Sequence, residues 1–415
     1  MLAVFYLLVI EQILQGLYSL WQGMMWLRMA RRSAAQSSSF YMPRIALLCP
    51  LKGLETGLEQ NLLALTAFDY LPYEIFFSVA SSQDPVYPLL ERIAAKSVRT
   101  VHIIEAGPVK DCTEKVNNLR AAVQQVGREF DVLVFVDSDG RPPRRWLARM
   151  VAPLADNRVG AATTFRWLIP SPGGKESAFW SALASAWNAP IATYMGAHDH
   201  NFCWGGGTAI RRERFEEIHA VEAWQGSASD DFSLTMALRN AGVSIAFVPE
   251  CLVPSFAETS ARGFFEFIAR QLIITRVYAP KLWATATIAH LVYCSTVLLG
   301  LGLWIANLRS GSPSLQFLVV ALIPPLLSGL RGVQRLAAVL ELQPEHRQKL
   351  LANAWAWTLL PPAVPFVALY GSVVSAFRRR IIWRGRQYEL ISAHETRVLG
   401  AKPNLGKAGG GVRLL

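Results

Sequence analysis

Two blocks of apolar sequence decide what this chain can be. Residues 1–27, "MLAVFYLLVIEQILQGLYSLWQGMMWL", form one, and residues 283–377 form the other. The second divides into runs of roughly 283–307, 314–330 and 352–377, each near the ~20 residues a helix needs to cross a bilayer. Between the blocks the composition is that of an ordinary globular domain. The order expected is therefore an anchor at 1–27, a linker at 28–43, a folded domain at 44–281, about three membrane segments at 282–377 and a basic tail at 378–415. Composition agrees, since 52% of residues are hydrophobic and only 17% charged, too apolar a balance for a purely soluble chain of this length.

The first block has no basic residue before Arg28, and Arg28, Arg31 and Arg32 follow it. Its apolar run is longer than a signal peptide's, so a retained anchor is expected. Glu11, Gln12 and Gln15 lie near its middle, which calls for one helix face to pack on protein. The net charge of +11 gathers beside apolar segments, with Arg378, Arg379 and Arg380 after the last. That placement fits the cytoplasmic side of an inner or plasma membrane and anionic lipid. It does not fit nucleic-acid binding, which needs a basic groove interleaved with aromatics. The five cysteines are scattered with no C-x-x-C spacing, which argues for a reduced compartment and against a zinc site or disulfide framework.

The arginines also pose a topological problem. With 28–282 cytoplasmic, three full crossings would leave Arg378, Arg379, Arg380, Arg384 and Arg386 outside, against the positive-inside rule. Segment 352–377 contains Pro361, Pro362 and Pro365 and is the segment expected to turn back. Broken helices of this kind need protein or water to satisfy the backbone. The turn would return "WRGRQYEL", residues 383–390, to the domain, where its arginines can meet phosphates; the other reading is a plain kinked crossing with an exported basic tail.

Within the domain, four continuous apolar runs read as strands: "RIALLCPLKG", "YEIFFSVASSQD", "RTVHIIEAG" and "DVLVFVDSDG". Helical spacing separates them in "LEQNLLALTAF", "VYPLLERIAAK" and "TEKVNNLRAAVQQV". Strands and helices that alternate in this way predict a mostly parallel sheet covered on both faces. Ligands of such sheets lie beyond the carboxyl ends of the strands, where Asp84, Asp137 and Asp139 fall.

Asp137 and Asp139 end a buried strand one residue apart. They read either as an acidic turn closed by Gly140 or as a pair that holds a divalent cation with phosphate and water. In "ASDDFSLTMALRNAG", Ser229 or Asp230 can cap the following helix, and Asp231 is then either a second cap or a general base. "FCWGGGTAIRRERF" places three glycines after Trp204, read as exposed backbone N–H groups near a ligand or as a flexible loop. "FFEFIARQLIITRVYAP" mixes bulky apolar residues with Arg270, Gln271 and Arg276 ahead of the membrane. It reads as an interfacial helix whose cations either meet phosphates or anchor the surface. "HDH" at 198–200 is a metal pair or a polar turn.

Taken in order, P-L-K-G, Q-D-P, K-V-N-N, D-S-D, G-G-G-T, D-D and R-Q-x-x-x-x-R before a membrane segment form a pattern. It resembles the membrane-bound family 2-like glycosyltransferases, and most closely the ceramide glucosyltransferase branch. The resemblance implies a GT-A-type fold, a mixed, mostly parallel, Rossmann-like α/β sheet with transmembrane helices at both ends. It implies a UDP-sugar donor, Mg²⁺ or Mn²⁺, and a membrane-lipid acceptor. By resemblance Asp137 and Asp139 hold the metal, Asp231 is the catalytic base and Asp84 lies near the uridine. Lys52, Lys115, Asn117, Gly206, Arg270, Gln271 and Arg276 complete the donor site, with Asp137. The implied reaction moves a hexose, with glucose first, to a ceramide-like hydroxyl with inversion. Diacylglycerol or another lipid as acceptor, a processive polysaccharide synthase and an inactive membrane scaffold are the other readings. The chain departs from the family's closing Q-x-x-R-W: no Trp follows an Arg after Gln271.

Overall fold

A computed structural model describes residues 2–35, 41–171, 175–197, 200–310 and 314–401. His198 and Asp199 of the H-D-H sequence lie outside them. A helix, α1 (Leu2–Ala35), leads into the α/β domain. Its first half contains β1 (Ile45–Pro50), α2 (Leu58–Thr66), β2 (Tyr73–Val79), α3 (Tyr87–Lys96), β3 (Val101–Glu105), α4 (Glu114–Gln125) and β4 (Val132–Val136). These are the four strands and three helices legible in the sequence. The second half contains α5 (Trp146–Val151), β5 (Val159–Thr163), β6 (Arg166–Pro170), α6 (Lys175–Ala192) and β7 (Gly207–Arg211). There follow α7 (Arg212–Glu217), α8 (Ala220–Ala223), α9 (Asp230–Asn240), β8 (Ser244–Phe247) and β9 (Val253–Ala257).

Seven strands form one mixed sheet in the order β3-β2-β1-β4-β7-β5-β8. The half from β3 to β4 is parallel, while β7 runs antiparallel to both β4 and β5. A mixed, mostly parallel α/β sheet was the expectation. Both faces are covered. Leu47, Ile75, Val134 and Trp146 lie in one core, and Leu48, Phe76, Leu119 and Phe135 in the other. Strands buried on both sides explain why each reads as an uninterrupted apolar run. The parallel pair β6–β9 lies beside the carboxyl end of β4: the backbone N–H of Arg141 donates to Pro254 O and Ser255 Oγ donates to Asp139 O.

The rest of the chain surrounds the domain with helices: α10 (Ala261–Tyr278), α11 (Pro280–Arg309), α12 (Leu315–Leu342), α13 (Arg347–Ala352), α14 (Ala354–Leu359) and α15 (Val364–Phe377). Among the described residues three helices are long and apolar enough to cross a membrane: α1, α11 and α12. Segment 352–377 differs from a single apolar crossing. It is split at Pro361–Ala363, because Pro361 and Pro362 have no N–H to donate back into α14. The remaining α15 has 14 residues, about 21 Å of helix against a hydrocarbon core of about 30 Å. The first helix also outruns its expected end at residue 27, extending through Arg28, Arg31 and Arg32 to Ala35. Arg31 bonds Glu341 of α12 at 3.3 Å. On the face of α1 turned to the protein, Gln12 is buried and donates to Glu11 and Gln15.

Each long helix has one end at the α/β domain. Trp26 of α1 donates to Met195 O at 3.1 Å. Gln343, just past α12, donates to Leu252 O at 3.0 Å. The α11 helix starts two residues after Tyr278, whose hydroxyl donates to Ser227 or accepts from it. The α/β domain and the strands after Phe377 therefore share one side of this three-helix group, while the segment from α14 to α15 packs alongside α11 and α12, where Tyr293 Oη donates to Pro362 O at 3.2 Å. Residues 378–401, expected as a basic tail, fold into an antiparallel sheet of β10 (Arg380–Trp383), β11 (Arg386–Ser392) and β12 (Glu395–Ala401). It packs on the domain through Ile381, Tyr388 and Leu390 against Ala228 and Ile273.

Candidate active site

Beyond the carboxyl ends of β1, β2 and β4 lies one cluster of charged side chains, and its centre is a largely buried ammonium. Lys115, in the first turn of α4, places Nζ 2.8 Å from Asp137 Oδ1 and 3.2 Å from Asp230 Oδ1. Burial opposes this charge, but Asp137, Asp230 and Asp231 outweigh it and hold the Lys115 pKa above its ordinary value. Asp230 is itself pushed up to about 6, by burial first and by Asp231 and Asp137 after it, against the pull of Lys115. Gly205 is required here. A Cβ at this position would collide with Asp230 Oδ2 and Lys115 Nζ.

Asp139 occupies a different environment two residues on. Its Oδ2 accepts from Arg166 Nη1 at 3.1 Å, while its Oδ1 is buried with no partner. Burial pushes its pKa up, Arg166 pulls it down, and Asp137 pushes up again. An orphaned carboxylate oxygen beside a second carboxylate fits a divalent cation. Among the described residues no three His, Cys, Asp or Glu side chains cluster as a ligand set. A cation at Asp137 and Asp139 would therefore draw the rest of its shell from phosphate oxygens and water, as Mg²⁺ does.

Asp231 is the less buried of the D-D pair. Its Oδ1 accepts from Ser229 Oγ and from the backbone N–H of Phe232 at 2.8 Å, and Oδ2 lies 3.5 Å from Gly205 N. Ser229 is the cap residue of α9 by position, yet its hydroxyl bonds Asp231 and no backbone N–H of the helix. The two acids thus divide their work. Asp230 turns inward to Lys115, and Asp231 stays at the rim, oriented by three donors.

A cationic group faces Asp139. Arg166 begins β6, Arg270 sits on α10, and Arg384 comes from the turn between β10 and β11. Burial, Arg166 and Arg384 together push Arg270 down to about 10, so it still carries its charge at neutral pH. Arg384 donates to Lys52 O at 2.8 Å and to Glu55 Oε2 at 3.0 Å. It occupies the left-handed region with φ 46°, followed by Gly385 at 77°, the conformation of a two-residue hairpin turn that matches strand twist. For arginine that conformation is strained, and the buried Glu55 pair offsets the strain. Arg384 answers the expectation that the 383–390 segment returns to this face of the domain. Arg166 and Glu55 were not singled out in the sequence. One arginine opening the apolar run "RWLIP" was the available signal for Arg166.

The remaining expected residues divide. Asp84 Oδ1 accepts from Gly53 N at 2.8 Å and Val86 N at 3.0 Å, so it ties the P-L-K-G loop to the end of β2. Lys52 Nζ is 2.6 Å from buried Glu114, which also meets Arg386 at 3.2 Å. Asn117 donates to Ala106 O and Gly107 O, and the adjacent Asn118 donates to Leu51 O and Ser78 O. Both asparagines brace strand ends. Gln271 follows Arg270 on α10, partly buried.

Two expectations need correction. Arg276 is not in the charged cluster: its guanidinium donates to Ala376 O and Arg378 O, capping the end of α15. Six positions at 3.6 residues per turn carry it about 240° around α10 from Arg270, onto another face. Gly206 is buried against the Trp204 indole, which would collide with a Cβ there, and Gly207 N donates back to Trp204 O at 3.0 Å. The glycines make room for a tryptophan and for the Lys115 cluster. They do not form a row of free N–H groups.

Carboxylates at parallel strand ends, a facing cationic group and three helices long and apolar enough to cross a membrane define the class: a mixed α/β domain with candidate membrane-spanning helices. The sequence profile of glycosyl transferase family 21 matches residues 4–396, and the chain belongs to that family. It is 19% identical over 246 residues to ceramide glucosyltransferase 3 of Caenorhabditis elegans, an alignment that covers 58% of this chain and 52% of the relative. The chain thus spans about half the length of the curated relative it matches. Among solved structures it is similar to a mannosyltransferase, PcManGT, from Pyrobaculum calidifontis in complex with GDP-Man and Mn²⁺. Identity there is 17% and the TM-score 0.45, with 90% of this chain and 97% of that one covered. It is also similar to glucosyl-3-phosphoglycerate synthase from Mycobacterium tuberculosis with Mn²⁺, UDP and glucosyl-3-phosphoglycerate, at 18% identity and TM-score 0.33, covering 56% and 75%.

Proposed function

We propose that the protein transfers one hexose, glucose first among candidates, from a UDP-sugar to the hydroxyl of a ceramide-like membrane lipid, with inversion. The observation that carries this reading is the division of the acids: Asp231 at the rim with its carboxylate held by three donors, Asp137 and Asp139 deeper, and Arg166, Arg270 and Arg384 facing Asp139. Family membership supports sugar transfer. The ceramide reading rests on the relative's name and on α10, which runs from the site directly to the membrane-type helix α11.

Asp231 takes the proton from the acceptor hydroxyl, and a positioned carboxylate is a competent general base. The acceptor oxygen then attacks the anomeric carbon as the bond to the UDP oxygen breaks. Charge that develops on the departing diphosphate is taken up by Arg166, Arg270 and Arg384, which are already in place and need no reorganisation. Mg²⁺ or Mn²⁺ held by Asp137 and Asp139 would add Lewis-acid neutralisation of the diphosphate. Lys115 fixes the spacing of Asp137 and Asp230 and so holds the floor of the site. With the arginine-rich flanks inside, the α/β domain is cytoplasmic and α1, α11 and α12 cross an inner or plasma membrane.

Purified protein incubated with labelled UDP-sugars, Mn²⁺ and a panel of ceramide, diacylglycerol and other lipids tests the reading. A single sugar on ceramide is the expected product. A sugar on diacylglycerol alone would overturn the acceptor, a polymer would show a synthase, and no product with any donor would remove the enzyme reading.

A further inference from the structure

Away from the candidate site, α12 carries two cations that no part of the proposed reaction uses. Arg331 and Arg335 are four residues apart, one above the other on the same helix face. Arg331 is 5% exposed, and its Nε and Nη1 are buried with no hydrogen-bond partner. Arg335 Nε donates to Thr193 Oγ1 at 3.2 Å. Among the described residues no carboxylate pairs with either guanidinium. A buried, unpaired cation costs several kcal/mol unless a counter-charge meets it.

The surroundings are shaped around these groups. Gly23 of α1 faces Arg331 and Gln334, and a Cβ at Gly23 would collide with Arg331 Nη1 and Gln334 Oε1. Gln334 Nε2 donates to Leu20 O at 3.2 Å, whereas its Oε1 is buried without a donor. Unfilled donors and an unfilled acceptor therefore stand side by side. Arg331 Nη1 and Gln334 Oε1 are close enough to pair with each other across this gap, whereas Arg331 Nε and the uncompensated charge of the two guanidiniums call for an anionic oxygen.

The neighbouring apolar surface identifies the source of that oxygen. The α/β domain touches the helices at Thr193 and Met195, through Arg335 and Trp26. Arg331 lies one turn, about 6 Å, further along α12 from the domain. Leu326, Leu330 and Val333 on α12 and Trp21 and Met24 on α1 are all exposed nearby, an apolar surface suited to acyl chains.

We propose that Arg331 and Arg335 form a binding site for the phosphate of an anionic phospholipid, seated beside α1 and α12. An uncharged acceptor lipid brings nothing to neutralise two guanidiniums, so this lipid is a second one, bound at a separate site. Its experiment reads no sugar transfer, so its outcome is independent of the proposed activity.

The full chain is reconstituted in nanodiscs of phosphatidylcholine alone, with phosphatidylglycerol, or with inorganic phosphate added to phosphatidylcholine. Retained lipid is counted by native mass spectrometry and thermal stability is followed. Wild type is expected to retain phosphatidylglycerol and to gain stability from it. Arg331→Gln is expected to lower retention by about tenfold, the effect of losing one charged hydrogen-bond donor. It should also raise stability in phosphatidylcholine alone, because a buried unpaired charge is gone. Arg331→Lys keeps the charge and should keep the lipid, and Arg309→Gln at the far end of α11 should change nothing. Retention by Arg331→Gln equal to wild type would overturn the proposal, as would an equal loss in Arg309→Gln. Stabilisation by inorganic phosphate equal to that by phosphatidylglycerol would overturn the lipid as the source.

Discussion

Lys115 and Asp230 stand 3.2 Å apart, and the same ammonium lies 2.8 Å from Asp137. One buried cation thereby ties the end of β4 to the start of α9, which are far apart in sequence. Lys115→Met would leave Asp137 and Asp230 facing each other unpaired. A loss of about 3–5 kcal/mol is expected for breaking a buried pair of this kind. Denaturant unfolding measures it, and a loss under about 1 kcal/mol would show that the cluster is solvated.

Asp231→Asn is expected to abolish transfer while UDP-sugar affinity stays nearly unchanged. Asn keeps the size and one acceptor but cannot take a proton. Single-turnover transfer beside donor binding separates the two effects. Transfer above roughly a hundredth of the wild-type rate would assign the base elsewhere, since general-base catalysis contributes at least about 100-fold.

Asp139→Ala is expected to weaken UDP binding only when Mn²⁺ is present. Its Oδ1 has no protein partner and its Oδ2 meets Arg166. The variant also leaves Arg166 without its carboxylate, so metal-free UDP affinity should hold or rise. Titration of Mn²⁺ against UDP affinity tests this, and an unchanged metal dependence would reduce Asp137 and Asp139 to a turn.

Arg384→Gly separates charge from backbone. Glycine accepts φ 46° freely, so the turn between β10 and β11 should survive, while loss of the buried Glu55 pair should cost about 3–5 kcal/mol. Transfer should fall by roughly 100-fold or more, as when one transition-state donor is removed. Unchanged kcat would make Arg384 only a clasp on Glu55.

Gln387→Cys, in a background that lacks the five native cysteines, reads topology. With 380–401 packed on the α/β domain and that side proposed as cytoplasmic, an impermeant thiol reagent should not label intact cells. It should label them fully after permeabilisation. Labelling without permeabilisation would place the domain outside.

Parts of the site were legible before the fold was known. Asp137 and Asp139 stood out because a buried strand that ends in two acids is costly without a cation. Asp84 was singled out by its place at a strand end and Asp231 by the doubled acid before its helix, and the family's motif order added only the roles expected of them. Arg276 was misplaced by a count that the sequence itself supplied, six helical positions from Arg270. Arg166 and Glu55 gave almost no signal, because a single charged residue next to an apolar run is common and its partner lies far along the chain.

The sequence by itself determined β1–β4, the long apolar helices and the acid-bearing strand ends. These depend on local periodicity and on burial of nearby residues, both of which are written in short windows. Tertiary structure alone decided which charges meet. Asp230 turns to Lys115, while Asp231 is held by Ser229 Oγ and by the backbone N–H groups of Phe232 and Gly205. Arg384 reaches Glu55 because 352–377 breaks at its prolines and the following strands pack against α10. Such pairings are fixed by the close approach of segments hundreds of residues apart, and no local pattern encodes that distance.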